Sequence, residues 1–357
     1  MNMAKKLKDF FDLNRLVREN IRQLVPYSSA RDEFTGSARI FLDANENAFG
    51  SPLPQPYNRY PDPLQVRLKE ALSRIKSVPP SRIFLGNGSD EAIDLLFRAF
   101  CSPGIDNVIT LPPTYGMYEV SARINDVEVR KAPLLPGFQP DLDAIAREID
   151  ENTKLIFICS PNNPTGNSIG REAIETILSN FNGLVVIDEA YINYSRYRSF
   201  IQELDEYPNL VVLQTLSKAW GLAGLRIGMA FASEAIVHIF NKVKPPYNLN
   251  EASQQLALTA LDNLEKVNDW IKQTTAERGQ LEKALQDLPF VQKVFPSDAN
   301  FLLVKTLDPK AVYRHLVKEG IVVRDRSRVK LCEGCLRITV GTPEENAELR
   351  DSLKKMA

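Results

Sequence analysis

Histidine is scarce, with only His238 and His315 among 357 residues. A Ser-His-Asp hydrolase therefore has little to draw on, and a histidine-ligated metal centre has less. The four cysteines, Cys101, Cys159, Cys332 and Cys335, do not make a disulfide framework in a chain of this length, and a reducing compartment suits them. Cys332 and Cys335 form one C-x-x-C pair without a second, so Glu333-Gly334 is read as a turn between strands and no metal is expected. Net charge is nearly missing too. The 44 Lys+Arg against 45 Asp+Glu leave −1, which supplies no general field toward nucleic acid or a membrane surface. The first twenty residues lack the uninterrupted apolar stretch of a signal peptide or spanning helix, and the expected location is the cytoplasm. Low-complexity tracts and fixed-period repeats are absent as well, which sets solenoids aside.

What is present reads as an α/β chain of about two domains, on a prior of roughly 150 residues each. Residues 1–26 form an arm with a short amphipathic helix. Pro63, Leu64, Leu68, Leu72 and Ile75 follow helical spacing, with Asp62 at the cap and proline in the first turn. The run Ile83-Phe84-Leu85 leads into Gly86-Asn87-Gly88-Ser89-Asp90-Glu91 and then a helix through Ala99. Further apolar runs at 108–111, 155–159, 184–187 and 210–213 are spaced widely enough for helices, as a mostly parallel sheet requires. Three of them end in polar clusters: SPNNPTG (160–166), DEAY (188–191) and Ser217-Lys218. Ligands of open α/β sheets bind at the carboxyl ends of strands, so these clusters converge on one site. Two long helices, 252–261 and 264–288, precede a smaller α+β unit. Its expected elements are a strand at 301–304, a helix at 312–319, strands at 321–324 and 336–340, and a final helix near Pro343.

Lys218 follows an apolar strand into small, glycine-rich surroundings. An ordinary lysine amine, with a pKa of roughly 10.4, is a poor nucleophile, but partial desolvation beside another cation activates it toward a carbonyl. Arg226, eight residues on, is the candidate cation. The glycine turn at 86–91 offers backbone amides and a helix N-terminus to an anion. It lacks the Gly-Lys-Ser/Thr of a nucleotide loop and the third glycine of a dinucleotide fingerprint. Asp188 ends a wholly apolar run, where a buried carboxylate needs a cationic partner, either an arginine or a protonated ring nitrogen.

The order and spacing of these motifs resemble the fold-type I pyridoxal-phosphate aminotransferases: Asn163 to Asp188 is 25 residues, Asp188 to Lys218 is 30 and Lys218 to Arg226 is 8. PYSSAR (26–31), LDANEN (42–47), NRYPDP (58–63), PPTYGMY (112–118), VVRD (322–325) and CLRITVGTPEEN (335–346) are similar to the histidinol-phosphate aminotransferase family from about residue 20 to the C-terminus. The resemblance implies a large domain with a mostly parallel sheet flanked by helices plus a smaller α+β domain. Its boundaries are an arm and first part of the small domain at 1–44, a large cofactor-binding domain at 45–260 and the small domain at 261–357.

It also implies pyridoxal 5'-phosphate, carried by Lys218 as a Schiff base, with Lys218 then moving the substrate's α-proton. Asp188 would pair with the ring nitrogen, Tyr191 and Asn163 would bond the ring 3'-oxygen, and Tyr115 would stack on the ring. Ser89, Asp90, Ser217 and Arg226 would hold the phosphate, with Tyr60 reaching it from the other subunit of a homodimer. Arg337 and Arg324 would clamp the substrate anion, Tyr27 would close over the substrate, and Asn47, with Asn45 and Glu46, would lie near its imidazole. The implied reaction moves an amino group between L-histidinol phosphate and 2-oxoglutarate, in histidine biosynthesis. An aromatic-amino-acid aminotransferase or a threonine-phosphate decarboxylase would use the same scaffold.

Overall fold

The computed structural model describes residues 11–27 and 38–356. Ser28 to Arg31 of the PYSSAR motif, and the arm before residue 11, lie outside the described residues. Within the arm, Leu13–Leu16 and Glu19–Gln23 are short helices. Val17 and Ile21 bury against the helix Ser89–Phe100, and the Arg18 guanidinium donates to the Arg98 carbonyl at 2.8 Å.

Seven strands build the main sheet: β1 (Ile83–Asn87), β2 (Asn107–Thr110), β3 (Glu128–Lys131), β4 (Thr153–Cys159), β5 (Leu184–Asp188), β6 (Leu210–Thr215) and β7 (Ile227–Phe231). Their order is β1-β7-β6-β5-β4-β2-β3. Strands β2 to β6 are parallel, whereas β7 runs antiparallel to both β6 and β1. Near-continuous apolar sequence in β4, β5 and β6 reflects burial on both faces. Alternate residues serve opposite layers: Ile156, Val185 and Val212 face one core, while Phe157, Val186 and Val211 face the other. Each such side chain contributes about 1.5–3 kcal/mol on leaving water.

A second sheet has the order β10-β11-β9-β8, made of β8 (Val291–Val294), β9 (Phe301–Thr306), β10 (Arg324–Asp325) and β11 (Cys335–Thr339). The helices Pro309–Lys318 and Pro343–Lys354 pack on it, with Leu316, Leu336 and Leu353 in its core. The last helix opens with a capping box between Thr342 and Glu345, the arrangement that satisfies two orphan amides at once.

Several expectations need correction. The helix expected from Asp62 begins at Val66, because Gln65 takes a left-handed conformation; Asp62 still accepts from the Leu64 and Val66 amides. The run expected at 321–324 pairs only at Arg324–Asp325. Strands β3, β7 and β8 were not expected: β3 and β8 are polar edges, and β7 carries a glycine that the packing demands. No helix among the described residues is long and apolar enough to cross a membrane.

Candidate active site

Because β4, β5 and β6 are parallel neighbours, their carboxyl ends bring Cys159 to Asn163, Asp188 to Tyr191 and Thr215 to Lys218 to one place. Antiparallel β7 begins at the same edge, which adds Arg226 and the turn after β1. The smaller sheet closes the other side with Arg324, Arg326 and Arg337. Together they line a cavity of about 760 Å³. It holds five cations, Lys218, Arg226, Arg324, Arg326 and Arg337, against the carboxylates Asp90 and Asp188.

Lys218 opens onto the cavity, with its amine 5.6 Å from the centroid of the Tyr191 ring. Burial lowers its pKa, Arg337 lowers it further, and Arg226 adds a smaller push in the same direction against Asp188. The activating cation expected from sequence was Arg226. The stronger one is Arg337, more than a hundred residues away in the chain.

Asp188 is 3% exposed. Its Oδ2 accepts from the Tyr118 hydroxyl at 2.7 Å and its Oδ1 from the Ala190 amide at 3.1 Å. Burial raises its pKa despite these bonds, so the site favours a cation beside the carboxylate. Tyr118 was missed in the sequence because, inside the helix Met117–Ile124, it reads as a core aromatic. Tyr191 is buried edge-on against Phe301, and burial raises its pKa. Asn163 Oδ1 accepts from the Arg337 guanidinium at 2.5 Å, which ties the two sheets together across the cavity.

The turn after β1 has the features of an anion cradle. Gly88 has φ +73°, and a Cβ there would meet the Arg226 guanidinium at 2.7 Å. Gly228 lets β7 pass directly under the turn, since a Cβ would come 2.1 Å from the Ser89 amide nitrogen. Ser89 and Asp90 start a helix of three turns, whose dipole favours negative charge there. Arg226 Nη2 lies 3.6 Å from Asp90, and its Nη1 lies 3.5 Å from the Ser217 hydroxyl. Tyr115 donates to Asp90 at 3.1 Å, and burial followed by that carboxylate raises its pKa.

Five expected residues, Tyr27, Asn45, Glu46, Asn47 and Tyr60, are not brought to this cavity. Tyr60 stacks on Tyr247 at 4.5 Å in a separate hollow with Asn45 and Glu46. Asn47 accepts from the Phe49 amide, and Tyr27 is 76% exposed. Arg326, unassigned in the sequence, does line the cavity. Cys332 and Cys335 are buried free thiols, pushed by burial up to about 12 and about 11.

This fold and site define an aminotransferase, and the chain belongs to the aminotransferase class I and II family, whose profile matches residues 43–353. It is 57% identical to the histidinol-phosphate aminotransferase of Parabacteroides distasonis, over 97% of this chain and 99% of that one. The enzyme of the same name from Cytophaga hutchinsonii is 54% identical over 96% and 99%. Among solved structures, the histidinol-phosphate aminotransferase from Clostridium acetobutylicum superposes with a TM-score of 0.77, at 24% identity, covering 84% of this chain and 91% of that one. The family's cofactor is pyridoxal 5'-phosphate. The residues present fit it: a buried carboxylate that calls for a cation, a glycine-lined cradle for a phosphate, and a lysine of lowered pKa between them.

Proposed function

We propose that this enzyme transfers the amino group of L-histidinol phosphate to 2-oxoglutarate, a step of histidine biosynthesis. The observation that carries the reading is the arginine-rich side of the cavity, where the smaller sheet contributes Arg324, Arg326 and Arg337 to the lining and, among the described residues, no lining carboxylate. A guanidinium can clamp either the phosphate of the donor or a carboxylate of the acceptor. Near-full-length identity above 50% to relatives of that name supports the same substrate.

When bound, pyridoxal phosphate supplies a conjugated ring that takes up the electron pair released at the substrate carbon bearing nitrogen. Lys218 would hold the cofactor and then take the proton from that carbon, a role suited to an amine of lowered pKa. Asp188, fixed by Tyr118 and Ala190, would keep a proton on the ring nitrogen. Asn163 and Tyr191 would flank the ring oxygen, and Tyr115 would cover the ring face. The amides of Ser89 and Asp90, the Ser217 hydroxyl and Arg226 would hold the phosphate. Arg337 and Arg324 would orient the substrate anion.

The division at 1–44, 45–260 and 261–357 belongs to this proposal, as do a cytoplasmic location and a homodimer with shared sites. Tyr60 lies in a hollow separate from its own chain's cavity, which agrees with its serving a second subunit's. The test is an assay of purified enzyme with histidinol phosphate and 2-oxoglutarate, followed by glutamate formation. Faster turnover of phenylalanine, or carbon dioxide released from threonine phosphate without a keto acid, would overturn the assignment.

A further inference from the structure

Arg324 and Arg326 stand two residues apart at the end of a strand, a spacing that directs both side chains to one face. Asp325 between them takes the opposite face, where its Oδ1 accepts from the Ser327 amide at 2.8 Å. Across the ladder Arg324 lies opposite Arg337, and the Arg326 amide donates to the Cys335 carbonyl at 3.0 Å, so the ribbon continues in register past the strand's end. All three arginines line the same cavity. Arg326 is only partly exposed, and burial, then Arg337, then Arg324 lower its pKa. Among the described residues, the Arg337 guanidinium donates to one side chain, the neutral amide of Asn163. Asp325 offsets Arg326 less than the two neighbouring guanidiniums disfavour it, and a bound anion relieves the three like charges.

The number of arms discriminates between anions. A carboxylate presents two oxygens and one charge, which a single guanidinium fork can satisfy. A phosphate ester presents three terminal oxygens and a charge near −1.5 to −2 at neutral pH, so it gains from further donors that a carboxylate cannot use. We propose that Arg326 is the third arm of the substrate clamp and sets its preference for a phosphate dianion over a carboxylate. This rests on the function proposed above, deepening it to the residue that separates the two substrates sharing one site.

The test uses the holoenzyme with Arg326→Gln and Arg326→Lys. Two probes, inorganic phosphate and acetate, are titrated as inhibitors of the glutamate half-reaction, and KM is measured for histidinol phosphate and for 2-oxoglutarate. Loss of a charge-assisted hydrogen bond predicts that R326Q weakens phosphate inhibition roughly tenfold to a hundredfold, and acetate inhibition less than about threefold. The KM for histidinol phosphate rises in step with the phosphate effect, and R326K recovers part of both. Equal weakening of the two anions, or unchanged phosphate inhibition, overturns the proposal. If the unaltered enzyme ignores histidinol phosphate yet R326Q still loses phosphate selectively, the substrate assignment fails and the clamp stands.

Discussion

The contact between β7 and the turn after β1 is tight enough to make a single methyl group decisive. Gly228 lies opposite Gly86 on one side and Thr215 on the other, so both neighbours are hydrogen-bonded strands. A Cβ on residue 228 would sit 2.1 Å from the Ser89 nitrogen and 2.2 Å from the Gly88 carbonyl carbon, where ordinary contact starts at 3.4 Å. These obstacles are backbone, and they lead into a helix anchored by the wholly buried Phe97 and Phe100. The turn cannot swing aside as a flexible side chain could. In Gly228→Ala the overlap is relieved by parting β1 from β7 or by displacing the turn, at about 1–3 kcal/mol for an overpacked interior. Because the proposed phosphate amides sit on that turn, much of the cost appears as weaker cofactor binding, roughly tenfold to a hundredfold. Titrating apoenzyme with pyridoxal phosphate by visible absorbance, beside a urea melt of the apoprotein, measures both parts. Gly224→Ala is the control, since nothing lies within 4 Å of its Cβ and its effect stays within about 0.5 kcal/mol. Unchanged affinity and unchanged melting in G228A would refute the close-approach argument.

Tyr118→Phe deletes the 2.7 Å bond to Asp188 and leaves the buried carboxylate short of a donor, at a cost of about 1–3 kcal/mol. The Asp188 pKa, already raised by burial, moves higher. A native state that holds a proton more tightly than the unfolded chain loses stability as pH climbs through that window, so the apoprotein's decline steepens in Y118F, and urea melts between pH 4 and 8 would show it. Arg337→Gln removes the largest neighbouring charge that lowers Lys218. The lysine titration then moves toward its ordinary alkaline range, and the apoprotein's gain in stability as pH rises through the lowered value flattens; a midpoint that stays put counts against Arg337 as the activating cation. For shared sites, Lys218→Ala and Tyr60→Ala homodimers are each nearly inactive, and random mixing restores about a quarter of full activity through the one intact site of each heterodimer. Activity that only averages the two would place Tyr60 outside its partner's site.

The main sheet was legible where burial writes itself into consecutive residues. In β4, β5 and β6 both faces are covered, so the stretches 155–159, 184–187 and 210–213 run apolar without a break. Polar β3, with residues Glu128 to Lys131 all partly or fully exposed, has no such signature and is held as an edge by β2 alone. The β7 strand was hidden for the opposite reason: Gly228 reads as a breaker, yet it is there because the adjoining backbone leaves no room for a side chain. Asp62 looked like a helix cap and does bond the Val66 amide, but the left-handed Gln65 delays the helix.

The site divides along the same line. Lys218, Asp188, Tyr191 and Arg226 could be named because each stands in a short motif at the end or start of a strand. The contacts between side chains could not, because each joins distant parts of the chain: Tyr118, which was missed, reaches Asp188 across 70 residues, and Arg337 and Asn163, both named from their motifs, bond each other across 174. The second contact has a consequence for reactivity. Arg337 belongs to β11 of the small sheet, while Lys218 follows β6 of the large one, so the lysine's basicity depends on how closely the two sheets approach. With Arg337 bonded to Asn163, the guanidinium keeps the Lys218 amine toward its free form; an anion seated on Arg337 would offset that charge and let the lysine hold a proton more firmly.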